Sequence, residues 1–101
     1  MKTNILPLGT IVTLQNGDDT KLMIVSRASL TETEEGEKVY FDYGAVVVPN
    51  GLQGNQLLFF NQEDVKQVIF RGYVDLHEQQ FEEEYDELVS SSKYPKGRVV
   101  K

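Results

Sequence analysis

Through the N-terminal two-thirds of the chain, apolar and polar positions alternate with the two-residue period of strands, and only near the C-terminus does the spacing lengthen to that of a helix. The β-branched run Thr10-Ile11-Val12-Thr13-Leu14, entered through Pro7 and Gly9, predicts a first strand. Asn16-Gly17 tolerates positive φ, and Leu22 to Arg27 follows as a second strand, so the two predict a hairpin. Thr31 to Glu37 is polar and acidic without periodicity, which predicts a solvated, mobile loop. In Val39-Tyr40-Phe41-Asp42-Tyr43, the residues Val39, Phe41 and Tyr43 share one strand face, and Tyr40 and Asp42 share the other. Gly44 interrupts this strand and predicts a bulge or a close backbone approach, with Ala45 to Val48 continuing in shifted register until Pro49-Asn50-Gly51.

Leu57 to Phe60 predicts a fourth strand. Asn61 then serves as N-cap of a short helical turn, with Asp64 returning the bond and Glu63 near the positive end of the dipole. Val68-Ile69-Phe70 reads as a fifth strand ending at Gly72. Beyond Asp75 the spacing of His77, Phe81, Tyr85 and Leu88 with Val89 forms one stripe on a helix. The expected fold is α+β: a small twisted antiparallel sheet of about five strands, the first four in a meander, with the short helical turn and a C-terminal amphipathic helix packed on the sheet. Residues 1–92 form the single domain, and 93–101, which hold Lys93, Lys96, Arg98 and Lys101 without an acid, are expected to be a flexible basic tail.

Composition adds exclusions. A chain of 101 residues has room for one ordinary domain, and the absence of cysteine removes disulfides, thiolate metal sites and thiol nucleophiles. No apolar run exceeds four residues, far short of the roughly 20 that span a bilayer, and the first residues lack the apolar stretch of a signal peptide. The expectation is a cytoplasmic protein that does not enter a membrane. The net charge of −6 is concentrated: Val74 to Val89 carries seven acids and no Lys or Arg, which leaves nine acids against ten bases elsewhere. Nucleic acid is not an expected partner, because phosphate affinity requires clustered cations.

Chemistry is scarce. The one histidine, His77, has no cysteine or serine motif to work with, so it is expected to end the apolar stripe or cap the helix. Glu82-Glu83-Glu84 cannot converge on one ion, since consecutive helical residues point ~100° apart, and they read as a solvated face. Asp42, flanked by aromatics, is the best candidate for a perturbed carboxylate, although a solvated carboxylate on the outer face explains the pattern equally well and is the commoner case. No phosphate loop, dinucleotide fingerprint or calcium loop is present. Catalytic residues, cofactor and metal site are therefore not expected, and the chain does not read as an enzyme.

Leu6-Pro7-Leu8-Gly9-Thr10, Tyr40-Phe41-Asp42-Tyr43, Phe59-Phe60-Asn61 with Glu63-Asp64, and Val68-Ile69-Phe70 followed by Gly72-Tyr73 together resemble a family of small Gram-positive bacterial proteins, domain of unknown function 4176. The resemblance spans about residues 6–85. Members are often encoded beside type VII secretion toxins with an LXG-type N-terminal domain, so the resemblance implies an accessory role for such a toxin. None of the five tyrosines is followed four residues later by an acid, the signal associated with export by that system.

The reading is a protein-binding adaptor or chaperone for a type VII secreted LXG-type effector, gripping it by an exposed sheet edge or the helix stripe. An immunity-type inhibitor of a cognate toxin is the alternative, and a small enzyme the third. Partner contact is assigned to Tyr40, Asp42, Phe81 and Tyr85.

Overall fold

The computed structural model describes residues 2–99. β1 (Ile11–Leu14) and β2 (Leu22–Glu32) pair antiparallel across a turn in which Asn16 holds a φ of 61°. β3 (Lys38–Val47) and β4 (Leu58–Phe60) continue the meander, and β5 (Val65–Phe70) returns beside β1, giving the order β4-β3-β2-β1-β5. With a 3-10 turn at Gln62–Asp64 and one helix, α1 (Leu76–Ser90), the fold is the expected α+β arrangement.

The outermost strands β4 and β5 are joined by only Asn61 to Asp64. In a flat sheet four strand spacings would part them by ~19 Å. A link of five Cα steps reaches at most ~18 Å, and a 3-10 turn shortens it further. The sheet must therefore curl. β5 supplies much of the bend, because it bulges twice against β1, at Lys66 and at Ile69, and each extra residue increases local twist. Inside the curl lie Val12, Leu22, Ile24, Tyr43, Ala45 and Phe60.

Several elements differ from their sequence-based outline, β5 among them, which begins at Val65. β2 runs on to Glu32, where Glu32 faces Lys38 and the opposite charges sit across the ladder. The expected mobile loop is thus reduced to a turn, Thr33–Glu37, closed by Thr33 N–H to Glu37 O and Gly36 N–H to Thr33 O at 2.8 and 2.9 Å. At Gly44 the bulge sits in β2 instead of β3: Ile24 faces Ala45 and Ser26 faces Gly44, leaving Val25 as the extra residue. The site is crowded, since a Cβ on Gly44 would lie 3.2 Å from Ser29 Oγ and 3.3 Å from Ser26 Cβ.

Asp75 caps α1, accepting from Glu78 N–H at 2.9 Å. The helix turns Glu78, Phe81, Glu82, Tyr85 and Val89 toward the body, so the inward stripe is rotated from the one read in the sequence. His77 is 97% exposed and Leu88 is exposed as well, so neither belongs to the stripe. Helix and sheet are stitched together by the N-terminal segment. Thr3 N–H donates to Asp86 of α1, Leu6 N–H donates to the Tyr43 hydroxyl of β3, and Ile5, Leu6 and Pro7 are buried.

The predicted basic tail is docked over part of its length. Lys96 forms a parallel bridge with Tyr40 of β3, Gly97 is buried, and Val99 packs against the core. The backbone groups of β3 that lie past the end of the short β4 take up this segment, which is why it does not hang free. Residues 100 and 101 of that expected tail lie outside the described residues.

Candidate functional site

Asp42 is the centre of a buried polar network. It is 1% exposed, its Oδ1 accepts from the Tyr85 hydroxyl at 2.8 Å, and its Oδ2 accepts from Gln62 N–H at 2.9 Å. Lys96 Nζ approaches the same Oδ2 at 3.3 Å and Glu63 Oε1 at 3.1 Å. A carboxylate removed from water needs this many donors, since an unpaired buried charge costs several kcal/mol. Of the two environments the sequence left open for Asp42, the structure shows the buried one.

The turn after β4 exists to supply part of this shell. Asp64 Oδ2 accepts from Asn61 N–H at 2.9 Å, as expected of a residue three beyond the cap. The Asn61 side chain, beyond its place in the capping box with Asp64, also reaches distant partners. Its Oδ1 accepts from Asp42 N–H and its Nδ2 donates to Gly97 O, both at 2.9 Å, so it joins β3 to the C-terminal segment. Tyr43 donates to Gln62 Oε1. Burial, above all, pushes the Tyr43 hydroxyl far above its usual range, and burial followed by the Asp42 hydrogen bond does the same for Tyr85. Both phenols are fixed donors. Burial by itself would lower Lys96, but the charges of Asp42 and Glu63 outweigh it and hold the ammonium above its ordinary value.

Of the residues assigned to partner contact, the structure brings Asp42 and Tyr85 into direct contact and sets the Phe81 ring 5.9 Å from that of Tyr85. Asp42 and Tyr85, each 1% exposed, present no surface in this conformation. Phe81 is half-buried beneath the Arg27 guanidinium, whose Cζ stands 4.0 Å from the ring centroid. The backbone of Tyr40 is engaged by the C-terminal segment.

A second cluster was not legible in the sequence. Arg27 of β2 grips Glu78 of α1 with both guanidinium nitrogens, each side chain only 10% exposed, and also reaches Leu6 O at 3.4 Å. Glu82, one helical turn on, has Arg71 at 3.7 Å from Oε1 but leaves a buried Oε2 without a partner among the described residues. Burial first, and then the neighbouring Glu78, raise Glu82 above the usual carboxylate range. Burial also works against ionised Glu78, but the Arg27 hydrogen bonds outweigh it and hold its pKa low. Glu82 is thus not part of the solvated acidic face to which Glu83 and Glu84 belong.

A raised carboxyl contributes stability that is complete below the unfolded value of ~4.3 and is lost as pH rises through the higher folded value. Glu82→Gln is therefore expected to melt with the wild type at pH 4 and above it at pH 7, by no more than about 1 kcal/mol because partial exposure screens the pair. Thermal melts from pH 4 to 8 test this, and equal midpoints at pH 7 would refute it.

The outer surface carries an apolar band. Val68, Ile69 and Phe70 of β5 are all substantially exposed, Tyr73 is 79% and Leu76 80% exposed, and the exposed Leu8 lies next to Tyr73 because its carbonyl packs against Gly72. A groove of roughly 320 Å³ is lined by Leu8, Tyr73 and Phe81 together with Arg27, Asp75, His77 and Glu78. No three of the His, Asp and Glu side chains among the described residues are grouped to hold a metal ion, and no helix there is long and apolar enough to cross a membrane.

The pattern of a family described as Domain of unknown function (DUF4176) matches residues 5–81. The chain belongs to the DUF4176 family. No curated protein and no solved structure matches it. The DUF4176 match takes in Asp42, Asn61, Gln62, Gly72 and Glu78, whereas Tyr85, Lys96 and Gly97, which complete the buried network, lie beyond it.

Proposed function

We propose that this DUF4176 chain is a protein-binding adaptor or chaperone acting in the cytoplasm, its partner a type VII secreted effector of the LXG kind. The observation that carries the binding reading is the apolar band Val68-Ile69-Phe70, Tyr73, Leu76 and Leu8. Apolar side chains scattered singly over a surface need no explanation, but here Leu8 and Tyr73 share one groove with Phe81, and three exposed apolar residues follow one another on β5, a grouping that supports a contact site. Of the two grips considered from sequence, the helix stripe is turned inward, with Tyr85 buried. The β5 edge is blunted for backbone pairing by Lys66 and by two bulges. The grip we favour is that of the band's side chains. The exposed acids Glu83, Glu84 and Glu87 support the immunity-type alternative, in which charge steers association.

One experiment separates the two readings. The chain is co-expressed with an LXG-type toxin and captured against separated N- and C-terminal halves of that toxin. A Tyr73→Ser/Leu76→Ser variant, altered at positions too exposed to affect folding, is expected to weaken capture at least tenfold, a loss of about 1.4 kcal/mol. Glu83→Gln/Glu84→Gln/Glu87→Gln is expected to leave capture unchanged. Loss in the glutamine variant that fades with added salt, beside full retention in the serine variant, would replace the adaptor by the inhibitor.

A further inference from the structure

Away from the apolar band, the edge of β3 beyond β4 is filled by the chain's own C-terminal segment. We propose that the slot along β3 holding Pro95-Lys96-Gly97 is a peptide-recognition site, with the C-terminal segment as its removable resident. The incoming ligand is an extended segment of a protein partner that carries a lysine followed directly by glycine.

The contacts are those of a peptide laid against a strand. Tyr40 N–H donates to Pro95 O at 3.0 Å and Gly97 N–H donates to Tyr40 O at 2.7 Å, which fixes a parallel backbone register without regard to side chains. Two features then select sequence. Lys96 Nζ is held between Asp42 Oδ2 and Glu63 Oε1, so the slot favours a cation at that position. The next residue has to be glycine, because a Cβ on Gly97 would lie 2.6 Å from two ring carbons of Phe41 and 3.0 Å from Val39 Cγ2. The Phe41 ring has little freedom to yield, being stacked on Phe59. Asn61 Nδ2 completes the clamp at Gly97 O.

The walls of the slot are built without the occupant. Asp42 keeps the Tyr85 hydroxyl and Gln62 N–H, and Asn61 is held by Asp64 and by Asp42 N–H. Such preorganisation lets a site persist when its occupant leaves. The resident, by contrast, follows an exposed stretch, Ser91-Ser92-Lys93, that gives it slack, and Lys93, Lys96 and Arg98 without an acid match the acidic slot in sign. Tethering places the resident at an effective concentration on the order of mM. A free peptide competes poorly with it, whereas a partner already held at the apolar band competes on equal terms.

The test uses the full chain and, as probe, the peptide of residues 93–99. Hydrogen exchange on the wild type is expected to show the Tyr40 and Gly97 amides opening at least a hundredfold faster than that of Ile24, which lies in the core. Exchange of all three together would make the segment a fixed part of the fold and overturn the proposal. In Gly97→Val, where the resident no longer fits, the probe is expected to bind saturably with shifts at Tyr40, Asp42 and Asn61, at least tenfold more tightly than to wild type. A probe with valine in place of its glycine is expected not to bind. Loss of folding in Gly97→Val, absence of probe binding to a folded Gly97→Val, or a dimer in which a second copy's segment fills the slot would each overturn it.

Discussion

Gly72→Ala is expected to destabilise the protein by more than about 3 kcal/mol, beyond the usual range for a single added methyl group, because the clash is with main chain. A Cβ at Gly72 would penetrate the Leu8 carbonyl oxygen and stand 2.9 Å from Leu8 C and 3.0 Å from Thr10 N. Those atoms cannot rotate away as a side chain does. Thr10 Oγ1 accepts from Gly72 N–H at 3.0 Å, and Thr10 is fully buried, so the segment entering β1 and the segment leaving β5 are pressed together. Separating them would also shift Leu8 and Tyr73 and so disturb the apolar band. Urea denaturation of Gly72→Ala beside Gly51→Ala is the informative comparison. Gly51 has a φ of 76° but no atom within 4 Å of its Cβ position, so it reports backbone strain without the clash. Equal losses at the two sites would refute the crowding argument.

Asp42→Ala is expected to cost about 2–4 kcal/mol, less than the ~5 kcal/mol upper range for a wholly buried ion pair because Lys96 remains partly hydrated. Most of the loss comes from the Tyr85 hydroxyl and Gln62 N–H, which are left without an acceptor at ~1–3 kcal/mol for each group fully deprived. Lys96→Ala alone is expected to cost under about 1.5 kcal/mol, since Asp42 keeps two donors. Adding it to Asp42→Ala should cost less than the sum, because there is then no anion for the lysine to have held. Strict additivity in that cycle would show that the Lys96 contact contributes nothing to the network.

The order of elements was legible from local pattern. The two-residue alternation around Val39–Tyr43, the Asn16-Gly17 turn and the apolar run at Leu57–Phe60 each act within a few residues of chain, so their signals survive in the sequence. The Asp64 bond to Asn61 N–H was legible for the same reason, as both partners lie within one turn. The fate of the Asn61 side chain was not, because its partners Asp42 and Gly97 are 19 and 36 residues away. Likewise the glutamates of α1 read alike in sequence. Only the approach of Arg27 from β2, 51 residues distant, distinguishes Glu78 from its neighbours and leaves Glu82 with an unpartnered oxygen.

By itself, then, the sequence determined the α+β class, the strand order of the meander and the acidity of the last helix, since these follow from spacing and composition. Only the tertiary structure decided that Asp42 and Tyr85 face each other in the interior, and that the basic segment 95–97 fills the edge of β3. It also decided that the exposed apolar surface is assembled from β5, the start of α1 and Leu8. The physical reason is that burial and hydrogen-bond partnership are set by which distant strands the curl of the sheet brings together, and a pattern of neighbours in one dimension carries no record of that curl.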